Sequence, residues 1–203
     1  MYALYQATRY IVGARVPGAI VECGVWRGGS SMLAAMTLAR CGDTSRALWL
    51  YDTYEGMSEP SEHDRDWRGI SATELLKRGE NNKETSVWCY SSLEEVSANM
   101  KRTSYPSERT RFVKGKVEER IPAEAPDQIA LLRLDTDFYE STYHELQHLF
   151  PRLADGAVLI IDDYGHWEGA RKATDQFLAE IRRPLLLQRI DYTGRMAVVG
   201  KSG

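Results

Sequence analysis

No stretch of this chain stays apolar long enough to cross a membrane, and its start lacks the charged, apolar and small-residue succession of a secretory signal. The expected compartment is therefore the cytoplasm, with no membrane partner. Cysteine is scarce: Cys23, Cys41 and Cys89 are an odd set without C-x-x-C spacing, which excludes a fully paired disulfide framework and reads as reduced thiols. Neither sign of charge dominates, with 26 basic against 29 acidic residues and a net charge of −3. Lys and Arg are scattered apart from short pairs such as Lys101-Arg102 and Arg182-Arg183, so a phosphate-tracking groove, and with it a nucleic-acid partner, is not expected. Internal repeats and low-complexity segments are absent, and 203 residues suffice for one domain, 1–203, with a full core.

What is present is an alternation of apolar strand patterns with helical ones, the mark of a mainly parallel sheet covered on both faces. Strands are expected at 19–25, 47–52, 111–116, 129–135 and 157–163. Helices are expected at 30–40, opened by a Ser30-Ser31 cap and stopped at Gly42, at 93–100, around a Thr142/Glu145 capping box, and at 170–181 before Pro184. Runs at 185–190 and 196–199, joined by turn residues, read as a closing β-hairpin. A doubly wound α/β sheet with such a hairpin is shared with class I methyltransferases, an analogy at the level of fold. Between the second strand and Glu84 lies a long polar stretch, 53–84, with the length of a functional lid over an acceptor.

Two strands end in acid: Leu131 to Asp135-Thr136-Asp137, and Val158 to Asp162-Asp163. In open α/β sheets ligands sit outside the carboxyl ends of the strands, so these aspartates would converge on one crevice. A single strand-end aspartate commonly caps a helix or turns the chain. Several together leave like charge uncompensated unless a cation sits among them, and an all-oxygen donor set suits Mg²⁺. Arg133, inside an apolar strand, is expected to pair with an acid rather than to catalyse.

The loop after the first strand runs Glu22-Cys23-Gly24-Val25-Trp26-Arg27-Gly28-Gly29-Ser30-Ser31. In a dinucleotide fingerprint the second glycine lets the backbone touch a pyrophosphate; here that position is Trp26, and no Walker lysine follows. A nucleoside ligand without phosphates fits better. S-adenosylmethionine is one: Glu22 can offset its ammonium or sulfonium charge, and the amides of Gly28, Gly29, Ser30 and Ser31 can receive its carboxylate. Asp52 closes the second strand, where a carboxylate can bond both ribose hydroxyls. Taken singly, the glycines suit a tight turn and Asp52 a loop cap; their joint order favours the cofactor.

At these residues the chain resembles the metal-dependent macrocin and noviose type (TylF-like) sugar O-methyltransferases. The resemblance spans Val21 through Phe177 and is carried by Glu22 through Ser30, Tyr51-Asp52-Thr53-Tyr54-Glu55-Gly56-Met57, Leu134-Asp135-Thr136-Asp137-Phe138-Tyr139-Glu140-Ser141-Thr142, and Ile161-Asp162-Asp163-Tyr164-Gly165. It implies a seven-stranded class I methyltransferase sheet, S-adenosylmethionine held by the glycine loop (Gly24, Trp26, Arg27 and their neighbours) and Asp52, and a homodimer. It also implies Mg²⁺ on Asp135, Asp162 and Asp163, with Asp135 beside the donor as proton acceptor and Asp137 left to support or cap. The implied acceptor is a hydroxyl, preferably of a vicinal diol, on a sugar of a glycosylated natural product. Two departures, Thr136 where a glycine is usual and a short region before the first strand, bear on the acceptor rather than on the cofactor.

Three other readings remain open at this level. Catechols also present vicinal hydroxyls. Asp135-Thr136-Asp137 fits the D-x-D motif of a glycosyltransferase, which leaves the glycine loop and Asp162-Asp163 without a role. A non-catalytic cofactor-binding module would keep the loop and not the chemistry. His166, Trp167 and Tyr139 are candidates to line the acceptor site, although surface or packing roles are the ordinary account; His63 with Asp64 and Asp66 reads as a solvated charge run in the lid. His144 and His148 have metal-ligand spacing on a helix but no third ligand nearby.

Overall fold

The computed structural model describes residues 1–84, 86–181 and 185–200. Fourteen elements follow in order: α1 (Tyr2–Gly13), β1 (Ala19–Cys23), α2 (Gly29–Arg40), β2 (Leu48–Asp52), α3 (Ala72–Gly79), α4 (Leu93–Lys101), β3 (Thr110–Lys114), α5 (Val117–Arg120), β4 (Ile129–Leu134), α6 (Tyr139–Leu149), β5 (Leu153–Ile161), α7 (Glu168–Glu180), β6 (Gln188–Arg189) and β7 (Arg195–Val198). They build one seven-stranded sheet in the order β3-β2-β1-β4-β5-β7-β6. Neighbours from β3 through β5 pair in parallel, whereas β7 runs antiparallel to both β5 and β6. This is the class I methyltransferase architecture that the resemblance implied.

The period of two along each strand sends successive side chains to opposite faces, and both faces are buried. Ile20, Leu131 and Val158 pack with Leu4, Ile11, Leu38 and Met100 of α1, α2 and α4. Val21, Leu132 and Leu159 pack with Leu146, Leu149 and Phe177 of α6 and α7. That is why the central strands read as unbroken apolar runs. Among the described residues no helix is long and apolar enough to cross a membrane.

Local expectations failed where tertiary partners took over the residues concerned. Ser30 and Ser31 do not cap α2: Gly28, at φ +82°, is the N-cap without a side-chain bond, and the Ser31 hydroxyl donates to Glu22 instead. The Thr142/Glu145 capping box is also absent. Phe138 is the N-cap of α6, and Glu145 lies fully buried at the end of the second turn, accepting from Thr136 Oγ1 at 3.2 Å. The helix α1, which no pattern announced, covers one sheet face. Among the described residues the closing hairpin pairs Gln188–Arg189 with Arg195–Met196. Pro184 and the Arg182-Arg183 pair lie outside the described residues.

The stretch 53–84 is an ordered strap rather than an open loop. It contains α3, capped by Ser71, and builds a small apolar core of its own in which Ala72 and Leu76 pack against Phe138, Trp167 and Ala170. Asp64 and Asp66, expected in a solvated charge run, are buried. Asp64 accepts from the amide of Tyr139, the first residue of α6, at 2.8 Å, and from both the amide and hydroxyl of Ser61 at 2.6 and 2.7 Å. Asp66 accepts from the amides of Arg68 and Ile70 and is paired to the Arg68 guanidinium at 2.7 Å.

Candidate active site

The strand order reverses between β1 and β4, so the loops that follow these two strands open on the same crevice. A cleft with about 730 Å³ of empty space, open solvent included, lies there. Gly24, Trp26 and Asp52 line it from the β1 and β2 ends; Asp135, Thr136 and Asp137 line it from β4. Met57, Ser58 and Cys89 complete it, together with Gly115 through Glu118 after β3. This last segment was missed in the sequence, although the strand-end rule applied to β3 pointed at it. Trp26, Cys89 and Asp137 all hold positive φ angles, of 48°, 46° and 68°, uncommon for residues with a side chain and concentrated here at the cleft.

Asp52 anchors the loop after β1. Its Oδ2 accepts from the amides of Val25 at 2.7 Å and Trp26 at 3.0 Å, and its Oδ1 from the amide of Tyr54 at 2.8 Å. Gly24 is pressed against β4, where the amide of Asp135 donates to the Cys23 carbonyl at 2.8 Å. Gly28, Gly29 and Ser30 form the turn into α2 and are not among the cleft-lining residues. Arg27 is exposed, lies over the Trp26 ring and pairs loosely with Glu84 and Glu95 at 3.9 and 3.7 Å.

Glu22 does not face the cleft. It is 3% exposed, and its two oxygens are taken by Ser31 Oγ and by Arg133 Nη1 at 2.7 Å. Arg133 pairs with acids as expected, but with three of them: Nη1 also donates to Asp135 Oδ2 at 2.6 Å and Nη2 to Asp162 Oδ2 at 2.9 Å. The register explains this. Glu22 sits directly opposite Arg133, and Asp135 and Asp162 each stand two residues beyond the pair Arg133 and Ile160, so all four side chains leave the same face.

Asp135, Asp137 and Asp163 each bring a carboxylate oxygen within 4.8 Å of the others. Like charge couples them: Asp162 raises the carboxyl pKa of Asp135, and Asp137 that of Asp163. The group that converges thus includes Asp137, which was expected only to support or cap, while one oxygen of Asp162 is turned to Arg133. Burial raises the carboxyl pKa of Asp135 well above its usual value against the pull of Arg133, and raises that of Asp163, which Asp137 pushes further. Asp137 is pushed up to about 7, again chiefly by burial. Burial alone would lower the pKa of Arg133; Asp135, Glu22 and Asp162 outweigh it and hold the guanidinium above its ordinary value. One buried cation among five carboxylates leaves an oxygen-only donor set short of positive charge, which fits a hard divalent ion.

Residues 1–197 match the family described as macrocin-O-methyltransferase (TylF). The chain belongs to that family. It is 35% identical over 191 residues to the 8-demethyl-8-(2,3-dimethoxy-alpha-L-rhamnosyl)-tetracenomycin-C 4'-O-methyltransferase of Streptomyces olivaceus, covering 94% of this chain and 69% of that protein. It is 31% identical to the demethyldecarbamoylnovobiocin O-methyltransferase of Streptomyces niveus, covering 86% of this chain and 63% of that protein. These relatives are therefore longer than the chain. Among solved structures, the O-methyltransferase NovP superposes with a TM-score of 0.82 at 28% identity, covering 98% of this chain and 79% of that one. Family membership makes this macrocin-type chain an O-methyltransferase and removes the glycosyltransferase and the non-catalytic module as readings of it.

The remaining candidates fall outside the cleft lining. The rings of His144 and His148 lie 4.4 Å apart, tilted by 57°, and His144 Nε2 donates to the Ile121 carbonyl. His63 lies edge-on to Tyr139 beside Lys172. Trp167 is buried in the strap core, and His166 stands edge-on to it and to Tyr192.

Proposed function

We propose that this macrocin-type methyltransferase transfers the methyl group of S-adenosylmethionine, in a Mg²⁺-dependent reaction, to a hydroxyl of a vicinal diol on a sugar of a glycosylated natural product. The observation that carries the reading is that one cleft is lined both by Gly24 and Trp26 of the loop after β1 with Asp52 and by Asp135 and Asp137 after β4. Two relatives described above are named for methylating a rhamnosyl tetracenomycin and demethyldecarbamoylnovobiocin, which supports a glycoside acceptor.

In this reading the amide-rich start of α2 receives the carboxylate of the methyl donor, and Asp52, which already fixes Val25 and Trp26, presents its remaining lone pairs to the ribose. Glu22, tied to Ser31 and Arg133, acts by holding the loop instead of meeting the sulfonium. Asp135, Asp162 and Asp163 are the proposed cation ligands, with Asp137 adding charge beside Asp163. A bound Mg²⁺ would supply polarisation of the acceptor hydroxyl, lowering its pKa. Asp135 takes the hydroxyl proton as the oxygen attacks the methyl carbon and the carbon–sulfur bond breaks. With the hydroxyl acidified in this way, a carboxylate placed beside it suffices as the acceptor. Holding oxygen, carbon and sulfur in line can lower the barrier by roughly 7–11 kcal/mol in well-oriented systems. Homodimer assembly is proposed on the family resemblance, and sedimentation velocity tests it.

The test is mass spectrometry of a panel of O-glycosides and catechols incubated with S-adenosylmethionine, with Mg²⁺ or with EDTA. Gain of one methyl group on a glycoside, abolished by EDTA, is expected. Methylation of catechols alone would replace the sugar acceptor, and transfer undiminished in EDTA would remove the metal.

A further inference from the structure

Arg133 is a charged residue within a strand whose every residue is buried, a strongly unfavourable place for a charge that lacks partners. Its partners lie on different elements: Glu22 on β1, Asp135 after β4 and Asp162 after β5. Glu22 carries the connection onward, since its second oxygen accepts from the hydroxyl of Ser31 in the first turn of α2. An unbroken line of hydrogen bonds, buried at Ser31, Glu22 and Arg133 and half-buried at its far end, therefore runs from the helix start assigned to the methyl donor to two of the acids assigned to the cation.

Resting on the function proposed above, we infer that Ser31, Glu22 and Arg133 form a positioning relay that couples binding of the methyl donor to binding of the divalent cation. The guanidinium is suited to this because its planar fork meets several carboxylates in fixed directions, which a lysine ammonium does not. Coupling of this kind is reciprocal: whatever factor the donor applies to cation affinity, the cation applies to donor affinity. A simple counter-charge role makes the opposite prediction for one variant. Removing a positive charge beside a cation site tightens cation binding on Coulombic grounds alone, whereas loss of positioning weakens it.

Calorimetric titration of the full chain with Mg²⁺, in the presence and absence of saturating S-adenosylhomocysteine, measures the coupling. The wild type is expected to bind Mg²⁺ about fivefold or more tightly when the nucleoside is present. Glu22→Gln, equal in shape and neutral, and Ser31→Ala, which removes the hydroxyl on Glu22 without changing the number of charges, are expected to bind both ligands with a ratio near one. Arg133→Gln and Arg133→Lys are expected to bind Mg²⁺ more weakly than the wild type, with thermal melts confirming the fold. Independent binding of both ligands by the wild type, an unchanged ratio in Glu22→Gln, or tighter Mg²⁺ binding by Arg133→Gln would each overturn the relay while leaving the proposed function standing. A wild type that binds neither ligand would take down the function and the relay together.

Discussion

A Cβ built on Gly24 falls 1.9 Å from the backbone oxygen of Asp135, and the residue holds φ at +82°. Any side chain at this position must push the ends of β1 and β4 apart, and a rigid backbone atom has nowhere to go. Gly24→Ala is expected to lose about 1–3 kcal/mol of stability and most of its affinity for S-adenosylhomocysteine, read by chemical denaturation and calorimetry. Asp135→Asn conserves shape and removes the proton acceptor. It is expected to abolish methyl transfer, a loss of at least about a hundredfold, while nucleoside binding changes little; equal loss of both would show a structural role. The thiols separate by environment: Cys41 is exposed, Cys23 fully buried, and burial pushes the Cys89 thiol up to about 12. Iodoacetamide at neutral pH is expected to modify Cys41 alone in the native protein, as peptide mass spectrometry would show.

At the scale of elements, the strap between β2 and α4 owes its order to two buried aspartates that sequence reading placed in solvent. Their acidic type suggested a charged surface, and nothing local told that Asp64 would meet the amide of Tyr139, some seventy residues onward. Burial alone would raise the Asp66 carboxyl pKa, but the Ile70 amide and the Arg68 side chain and amide outweigh it and hold the group below the usual carboxylate range. A group depressed in the folded state contributes stability above its unfolded pKa and loses it as pH falls through the folded value. Strap protection in hydrogen exchange is therefore expected to hold from neutral pH down to about pH 4 and to decline below it. Asp66→Asn is expected to loosen the strap already at neutral pH by about 1–3 kcal/mol, and unchanged exchange there would deny Asp66 this task. Helix starts were misread for a similar reason. The hydroxyl of Ser31 and the carboxylate of Glu145 both suit a local cap, yet each found a partner outside its own helix, buried Glu22 and half-buried Thr136.

For the whole molecule, ligands that bind only the folded chain must stabilise it. At a Mg²⁺ concentration a hundred times its Kd, folding gains about 2.7 kcal/mol, or roughly 5–10 °C in Tm for a domain of this size. Scanning calorimetry with Mg²⁺ and with EDTA reads this directly, and coincident melts would argue against a cation site. The sequence by itself determined the sheet, because apolar runs of strand length separated by helical patterns permit little but a doubly wound α/β layer, and strand-end acids and a glycine bend mark the ends where ligands gather. It also determined that Arg133 needed an acid. Only the tertiary structure decided which acids, since that depends on register: pairing Glu22 with Arg133 across β1 and β4 aligns Asp135 and Asp162 on the same face and leaves Asp137 to meet Asp163. Register is a relation between distant segments, and no single segment carries it.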